Sequence, residues 1–307
     1  MINYTSADSK QKVAVIIPTH NRCESALRAI ESLVQDNYRN KQIYLVNDGS
    51  SDNTREKVLQ RYPQVIICQG NGNLWWSGAI NLGLAYALKS DCNLVLWLND
   101  DNCVDVNTIN IMVDAHQQCG KNSVIASRTL SLQTKDVEWA GEPPRWHPDF
   151  QNWQMFDSND EIHSLQHPPG GRGVLFPLQC FVQLGLVDAH NFPHYWADHD
   201  FHYRAMKAGY NYYLVDNAIV LNSQNVPLVS EQNRFSAIGL YKFIFSRRSP
   251  MNFVTLRRLL KRHLEPDQFQ QVWPSFMKST LIWLLTEWIR RYPTILNRVK
   301  LLKNLSI

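Results

Sequence analysis

Three short stretches place carboxylates where bare charges would be costly. The first is NLVLWLNDDN, residues 93–102, in which the apolar run Leu94–Leu98 ends in Asn99, Asp100, Asp101 and Asn102. Carboxylates beside a core need a positive partner. Two on a rigid strand end suit a hard divalent cation such as Mg²⁺ or Mn²⁺, which prefers oxygen ligands and commonly combines one or two carboxylates with substrate phosphates. The same residue types also suit an Asx turn or a helix N-cap. The second stretch is VNDGSSDNT, where Asp48 closes another strand. It can accept hydrogen bonds from a nucleobase or ribose, or cap its own glycine-containing turn. The third is WADHDFHYRAMKAGY, residues 196–210. Asp200 and Arg204 are spaced to pair on one helix face. That leaves Asp198, near Trp196, to face a cleft, where a carboxylate against a partly apolar wall can serve as general base toward a hydroxyl. The alternative is a capping residue beside a surface ion pair.

The elements that must hold these residues alternate along the first 130 positions. Short apolar runs at Val13–Ile17, Ile43–Val46, Val65–Cys68 and Leu94–Leu98 read as strands. Between them, 21–35 carries helical spacing at Ala26, Leu27, Ile30, Leu33 and Val34, a helix over Val58 and Leu59 is capped by Ser51 or Asp52, and 77–90 forms a third helix. This order predicts a mostly parallel sheet with crossover helices, and ligands of such sheets bind at the carboxyl ends of the strands. Those ends carry PTHNR, NDGSSDNT, QGNGN and NDDN, so four polar loops converge on one rim. Residues 130–230 read as loop-rich, and the tail as helices broken at Pro250, Pro266, Pro274 and Pro293. The expected division is a catalytic domain over 1–230, with a nucleotide-binding half at 1–130 and a donor-sugar and acceptor half at 131–230, followed by a helical region over 231–307.

A hydrophobic content of 44% with ten Trp, twelve Tyr and twelve Phe supports a globular core and argues against disorder. The six cysteines form no CxxC pair, which favours reduced thiols in a cytosolic protein over disulfides or a zinc site. The N-terminus lacks a basic region followed by a long apolar core, so no signal peptide is expected, and no apolar run is long enough to span a bilayer. Residues 231–307 contain 14 Lys and Arg against 4 Asp and Glu, a local +10, which leaves 1–230 at −6 within a net charge of +4. A basic tail on an acidic body suggests an anionic partner, either membrane lipid or a phosphorylated substrate. Solvated helix faces are the plainer reading.

Taken together, VAVIIPTHNR, LVNDGSSDNT, NLWWSGAINLGLAYA, LVLWLNDDN, GGRGVLFP and ADHDFHYRAMKAGY resemble, in order and spacing, the family 2 glycosyltransferases with a GT-A (Rossmann-like) α/β fold. The rhamnosyltransferase-like enzymes of bacterial surface polysaccharide synthesis are the subgroup they resemble most. The resemblance covers about 12–225. It implies an inverting, metal-dependent transfer of a hexosyl or deoxyhexosyl group from a nucleoside diphosphate sugar, a UDP- or dTDP-sugar, to a hydroxyl of a glycan or polyprenyl-linked acceptor. The family's acidic motif falls on Asn99, Asp100 and Asp101: Asp101 matches the final carboxylate as the metal ligand, Asn99 stands where many relatives have Asp, so that the first ligand is weakened or replaced by Asp100, and Asp100 also counts among the nucleotide contacts. The nucleotide contacts fall on Pro18, Thr19, Asn21, Arg22, Asp48, Asn73, Trp75 and Asn81. The base falls on Asp198, whose expected acidic neighbour is Ala197. Trp76, Gly170, Gly171, Trp196 and Asp200 would surround the donor sugar or acceptor, the glycines allowing close backbone approach. Some relatives carry a metal-ligating His where Asn222 stands. The stretch STLIWLLTEWI, residues 279–289, is too short to span a bilayer but can lie in the membrane interface with Arg290, Arg291, Arg298, Lys300 and Lys303 near phosphates, which would make a cytoplasmic enzyme peripheral at the membrane face through 231–307. The alternative is a helical pair packed on the catalytic domain or a partner subunit. No nucleic-acid partner is expected, and an oligomer is left open. A sugar-nucleotidyltransferase would show a glycine-rich phosphate loop after the first strand, and IIPTHNR has no glycine. A non-catalytic relative would be expected to have lost Asp48, Asp101 and Asp198.

Overall fold

The computed structural model describes residues 11–143, 154, 161–223, 237–247 and 249–291. The chain divides into two compact units, one built on Met1–Pro144 and Asn152–Val226, the other on Pro227–Ile307 with Arg145–Gln151.

The first unit is an α/β fold around a ten-stranded sheet of order β3-β2-β1-β4-β9-β6-β10-β5, with β7 on β6 and β8 on β10. Strands β1 (Val13–Thr19), β2 (Lys41–Asn47), β3 (Ile66–Gln69) and β4 (Leu94–Trp97) are parallel. The helices between them are α1 (Cys23–Gln35), α2 (Thr54–Arg61) and α3 (Trp75–Ala87). Residues 13–17 of β1 are fully buried, as a central parallel strand covered on both faces requires. Helix α1 turns Cys23, Ala26, Leu27, Ala29, Ile30 and Leu33 into the core, a stripe of helical period. On α3, a Cβ at Gly83 would lie 2.4 Å from Ile16 Cγ2, so the glycine lets this helix sit directly on β1.

The second half of the sheet departs from the loop-rich expectation for 130–230. After β5 (Asn102–Val104) and α4 (Thr108–Cys119) come β6 (Ser123–Ser131), β7 (Val137–Trp139), β8 (Ile162–Leu165) and β9 (Val174–Pro177). Then follow α5 (Leu178–Leu184), α6 (Ala197–Lys207) and β10 (Asn211–Asn222). Strand β9 inserts antiparallel between β4 and β6, so the sheet is mixed. Its four residues VLFP are all buried, too short a run to stand out in sequence. Strand β10 shifts register between Val215 and Ile219, pairing β8 before the shift and β5 after it.

Two smaller expectations are corrected. The residue capping α2 is Asn53, in the left-handed conformation, and the Asp52 carboxylate reaches over it to the Thr54 amide at 3.3 Å and across to the Cys23 amide at 2.9 Å. In the second unit, which contains α7 (Ala237–Phe245), α8 (Phe253–His263) and α9 (Pro266–Arg291), helix α9 continues through Pro274. One proline removes a single helical hydrogen bond, while the Phe269, Trp273 and Phe276 rings stack across that turn. Pro266 occupies the first helical position, where its missing N–H costs nothing. Pro293, Arg298, Lys300 and Lys303 lie outside the described residues. No helix of the described residues is long and apolar enough to cross a membrane.

Candidate active site

The carboxyl ends of β1 to β4 meet at one rim, and Arg22, just after β1, is tied to the two carboxylates just after β4. Its guanidinium bridges Asp100 Oδ1 at 2.8 Å and Asp101 Oδ2 at 3.2 Å. Thr19 Oγ1 donates to Asp100 Oδ2 at 2.8 Å. Both carboxylates are buried, at 4% and 5% exposure. Burial pushes the Asp100 carboxyl up to about 7, against Arg22 and with the neighbouring Asp101 adding to the rise. Pro18 lies on β1 in register with Val46, beyond the last residue paired with β4.

Asp101 Oδ1 is buried and meets no hydrogen-bond donor, while the Asp101 carbonyl accepts from the Ser223 amide at 2.9 Å and hydroxyl at 3.0 Å. An orphaned buried carboxylate oxygen is costly, and a hard cation is the partner that an oxygen donor set fits. Among the described residues no group of three or more His, Cys, Asp or Glu could enclose a metal. A cation here would therefore take Asp101 and complete its shell with substrate phosphate and water. Asn222 is spent elsewhere: its Oδ1 accepts from Asn102 at 2.9 Å and its amide donates to Glu138 Oε2 at 2.7 Å.

Asp48 organises the loop between β3 and α3. Its Oδ1 accepts from the Gly72 amide at 2.7 Å, and its Oδ2 from the Leu74 and Trp75 amides at 2.9 and 3.2 Å. It thus caps a distant loop rather than its own turn. Trp75 enters α3 at φ +58° with its ring edge-on to His194 at 5.8 Å. Asn73 is exposed, its amide bonded to Asn71 Oδ1 at 3.0 Å. Asn21 adopts φ +53° and accepts at Oδ1 from the Ser51 amide at 2.7 Å, joining the first two loops. Asn81 lies on α3 with its side-chain amide exchanging two hydrogen bonds with Val187, at 2.8 and 3.0 Å. That pairing assigns Asn81 to holding the 187 segment, not to the rim.

The other wall is built by α6 and the glycine loop before β9. Asp198 Oδ1 accepts from the His199 amide at 2.9 Å and contacts its ring Nδ1 at 3.1 Å. Burial would raise this carboxyl, but His199 and the other neighbours outweigh it and hold Asp198 at about 2, fully ionised. Asp200 is completely buried and accepts from Arg204 Nε at 3.1 Å, the pairing expected one helical turn apart. Trp196, at φ +73°, is the N-cap of α6 and packs edge-on to His199 at 5.1 Å.

Trp76 connects the two walls. Its indole Nε1–H donates to Asn99 Oδ1 at 2.8 Å, and its ring stands at 88° to Trp97, centroids 5.6 Å apart. A Cβ at Gly171 would lie 2.7 Å from Trp76 Cζ2 and 3.5 Å from Asp198 Oδ2; from Gly170 it would lie 3.8 Å from that oxygen. Asn99, the Trp76 ring, the glycines and Asp198 thus stand side by side, each next to the one before. The Tyr195 phenol, raised by burial, also feels both Asp101 and Asp198.

Sequence reasoning missed His202. It is fully buried, stacks on Phe176 at 5.5 Å and 12°, accepts at Nδ1 from the Tyr212 hydroxyl at 3.1 Å and faces the Gly170 carbonyl with Nε2 at 3.4 Å. Burial pushes its pKa down to about 3, so the ring is neutral. Its place four residues after Asp198, on the same helix face, is the signal that could have identified it.

A mixed sheet of this order, with carboxylates gathered at the strand ends, is a GT-A type of glycosyltransferase fold. Residues 14–166 match the family model of Glycosyl transferase family 2. An uncharacterized glycosyltransferase of Rickettsia typhi is 24% identical over 215 residues, covering 69% of this chain and 63% of that protein. The chain therefore spans less than two thirds of that relative's length. A dolichyl-phosphate beta-glucosyltransferase of Trichomonas vaginalis is 26% identical over 140 residues, 41% of this chain and 42% of the other. The fold is similar to GalNAc-T7, whose crystal structure holds UDP, GalNAc and Mn²⁺. The TM-score is 0.59 at 13% identity, covering 84% of this chain and 55% of that one.

Proposed function

We propose that the protein is an inverting, metal-dependent glycosyltransferase of the rhamnosyltransferase-like kind that moves a hexosyl or deoxyhexosyl group from a UDP- or dTDP-sugar to a hydroxyl of a glycan or polyprenyl-linked acceptor in cell-surface polysaccharide synthesis. The single observation that carries it is the orphaned, buried Asp101 oxygen two residues after Asn99, which holds the Trp76 ring that stands against Gly171 beside the ionised Asp198. Asp101 would hold the cation. When bound, a divalent cation neutralises the charge developing on the departing diphosphate. Arg22 pairs with the other Asp101 oxygen, Oδ2, and together with Thr19 fixes Asp100 beside it. The β3–α3 loop, shaped by Asp48, forms the nucleotide wall with Asn73 and Trp75. Trp76 and the glycines at 170 and 171 position the sugar, and Asp198 takes the acceptor hydroxyl's proton as that oxygen attacks the anomeric carbon. Asp200 is engaged by Arg204, which supports a single base and one in-line displacement over a covalent intermediate. The weak basicity of Asp198 in the free site requires that substrate binding exclude water and raise it.

Thermal-shift screening of UDP-, dTDP- and GDP-sugars with Mn²⁺ or Mg²⁺ identifies the donor, and NMR of the product reports its anomeric configuration. Full turnover in both Asp101→Ala and Asp198→Asn would overturn the assignment. On the second unit, Leu281, Ile282 and Leu285 of α9 are more than half exposed and Trp283 is 37% exposed. These residues support peripheral attachment of the basic tail at the cytoplasmic membrane face, where lipid-linked acceptors reside. Liposome flotation that is unchanged in Leu281→Glu/Leu285→Glu would count against attachment.

A further inference from the structure

Helix α8 has two faces with different tasks. Leu256, Leu259 and Leu260 are completely buried, which suffices to dock the helix. Arg257, Arg258, Lys261 and Arg262 recur at i, i+1, i+4 and i+5, so all four fall on one exposed flank. Cations in the last helical turn are favoured by the helix dipole, which accounts for Lys261 and Arg262. It does not account for Arg257 in the turn before. Like charges four residues apart repel one another, a penalty with no return in the isolated helix.

Those four cations, with Phe253 and Val254 of α8 and Trp273 of α9, line an open concavity of about 520 Å³. Phe253 stands edge-on to Trp273 at 6.0 Å and 81°, and Trp273 stacks on Phe269 at 6.3 Å and 5°. The Arg257 guanidinium lies 5.8 Å from the Phe269 centroid. Neither Arg257 nor Lys261 is ion-paired with a carboxylate of the described residues. We propose that this concavity is a binding site for a phosphate group. Guanidinium forks match phosphate oxygens two at a time, and the aromatic floor gives room and apolar contact for whatever carries the phosphate. The volume is that of a small-molecule site rather than of a bare ion. The phosphate comes from a lipid headgroup or from a soluble phosphorylated compound, and one pair of measurements separates the two.

The full chain, free of divalent cations in EDTA, is titrated calorimetrically with inorganic pyrophosphate. In parallel it is floated with phosphatidylglycerol and with phosphatidylcholine vesicles. Wild type is compared with Arg257→Gln/Lys261→Gln, with Arg258→Gln/Arg262→Gln as a second pair should the first lose its circular dichroism spectrum, and with Asp101→Ala. The expected result is pyrophosphate binding that weakens about tenfold or more in the α8 variants, the loss of at least one charge-assisted hydrogen bond, and that persists in Asp101→Ala. A parallel loss of phosphatidylglycerol flotation assigns the site to lipid headgroups, and a loss confined to pyrophosphate assigns it to soluble phosphates. No binding by wild type, unaltered binding of both probes by the α8 variants, or pyrophosphate binding abolished by Asp101→Ala would each overturn the site. Flotation that survives the α8 variants but fails in Leu281→Glu/Leu285→Glu would exclude lipid headgroups as the source of the phosphate and leave tail attachment standing.

Discussion

Replacing Gly171 by alanine adds one methyl group at the junction of the two walls. Its backbone does not require glycine by conformation, so the effect is steric alone. The new carbon would lie 2.7 Å from Trp76 Cζ2, where ordinary carbon contacts are about 3.5–4.0 Å. The ring or the loop must retreat by about 0.8 Å or more. Trp76 cannot yield freely, because its indole bonds Asn99 at 2.8 Å and its face meets Trp97. A retreat of that size stretches the indole bond to about 3.6 Å, beyond hydrogen-bond range. Overpacking of this kind costs about 1–3 kcal/mol, which for a domain of this length lowers the melting temperature by about 2–10 °C. Because displacement of about 1 Å beside reacting groups can cost about 10²-fold in rate, donor turnover should fall by that order. Trp76→Phe removes the two ring atoms nearest position 171. A double-mutant cycle on thermal unfolding should show Gly171→Ala costing less in the Trp76→Phe background, with a coupling of about 0.5–3 kcal/mol. Unchanged melting of Gly171→Ala, together with zero coupling, would refute the close approach of loop and ring.

Other expectations follow from the same geometry. Asp198→Asn should reduce kcat by about 10²–10⁴-fold with the melting temperature retained, measured as product formation with donor and acceptor. Asn81→Ala removes two hydrogen bonds to Val187 and should cost about 1–3 kcal/mol in urea unfolding. Asp36, completely buried, pairs with Lys41 at 3.4 Å and accepts from the Tyr38 and Ile109 amides at 2.9 and 3.2 Å, so Asp36→Ala removes the carboxylate that these three donors share and should cost about 3–5 kcal/mol. His202 titrates at about 3 when folded, below the ordinary 6.5. The unfolded chain therefore binds the proton first, and stability is lost as pH falls below the ordinary value. Between about pH 7.5 and pH 5 the loss from this group is about 2 kcal/mol. His202→Gln, which can still donate to Gly170 and accept from Tyr212, should flatten that slope in pH-dependent denaturation.

Much of this protein could be read from the chain because its signals are local. Apolar runs such as Val13–Ile17 and Leu94–Leu98 become strands wherever a core exists to take them, and the polar residues after them must then stand at the sheet's rim. The pairing of Asp200 with Arg204 is likewise set by helical period. What spacing could not contain is which donors each carboxylate meets. Asp48 caps amides 24 to 27 residues away, Asn99 holds an indole 23 residues back, and Asn81 serves a backbone segment 106 residues ahead. Strand β9 escaped notice because four buried residues carry too little periodicity, yet it brings Gly171 against Trp76 and Asp198. Hydrogen bonds and van der Waals contacts depend on tenths of an ångström, and separations of that size are decided only when the sheet order and helix packing bring distant residues together.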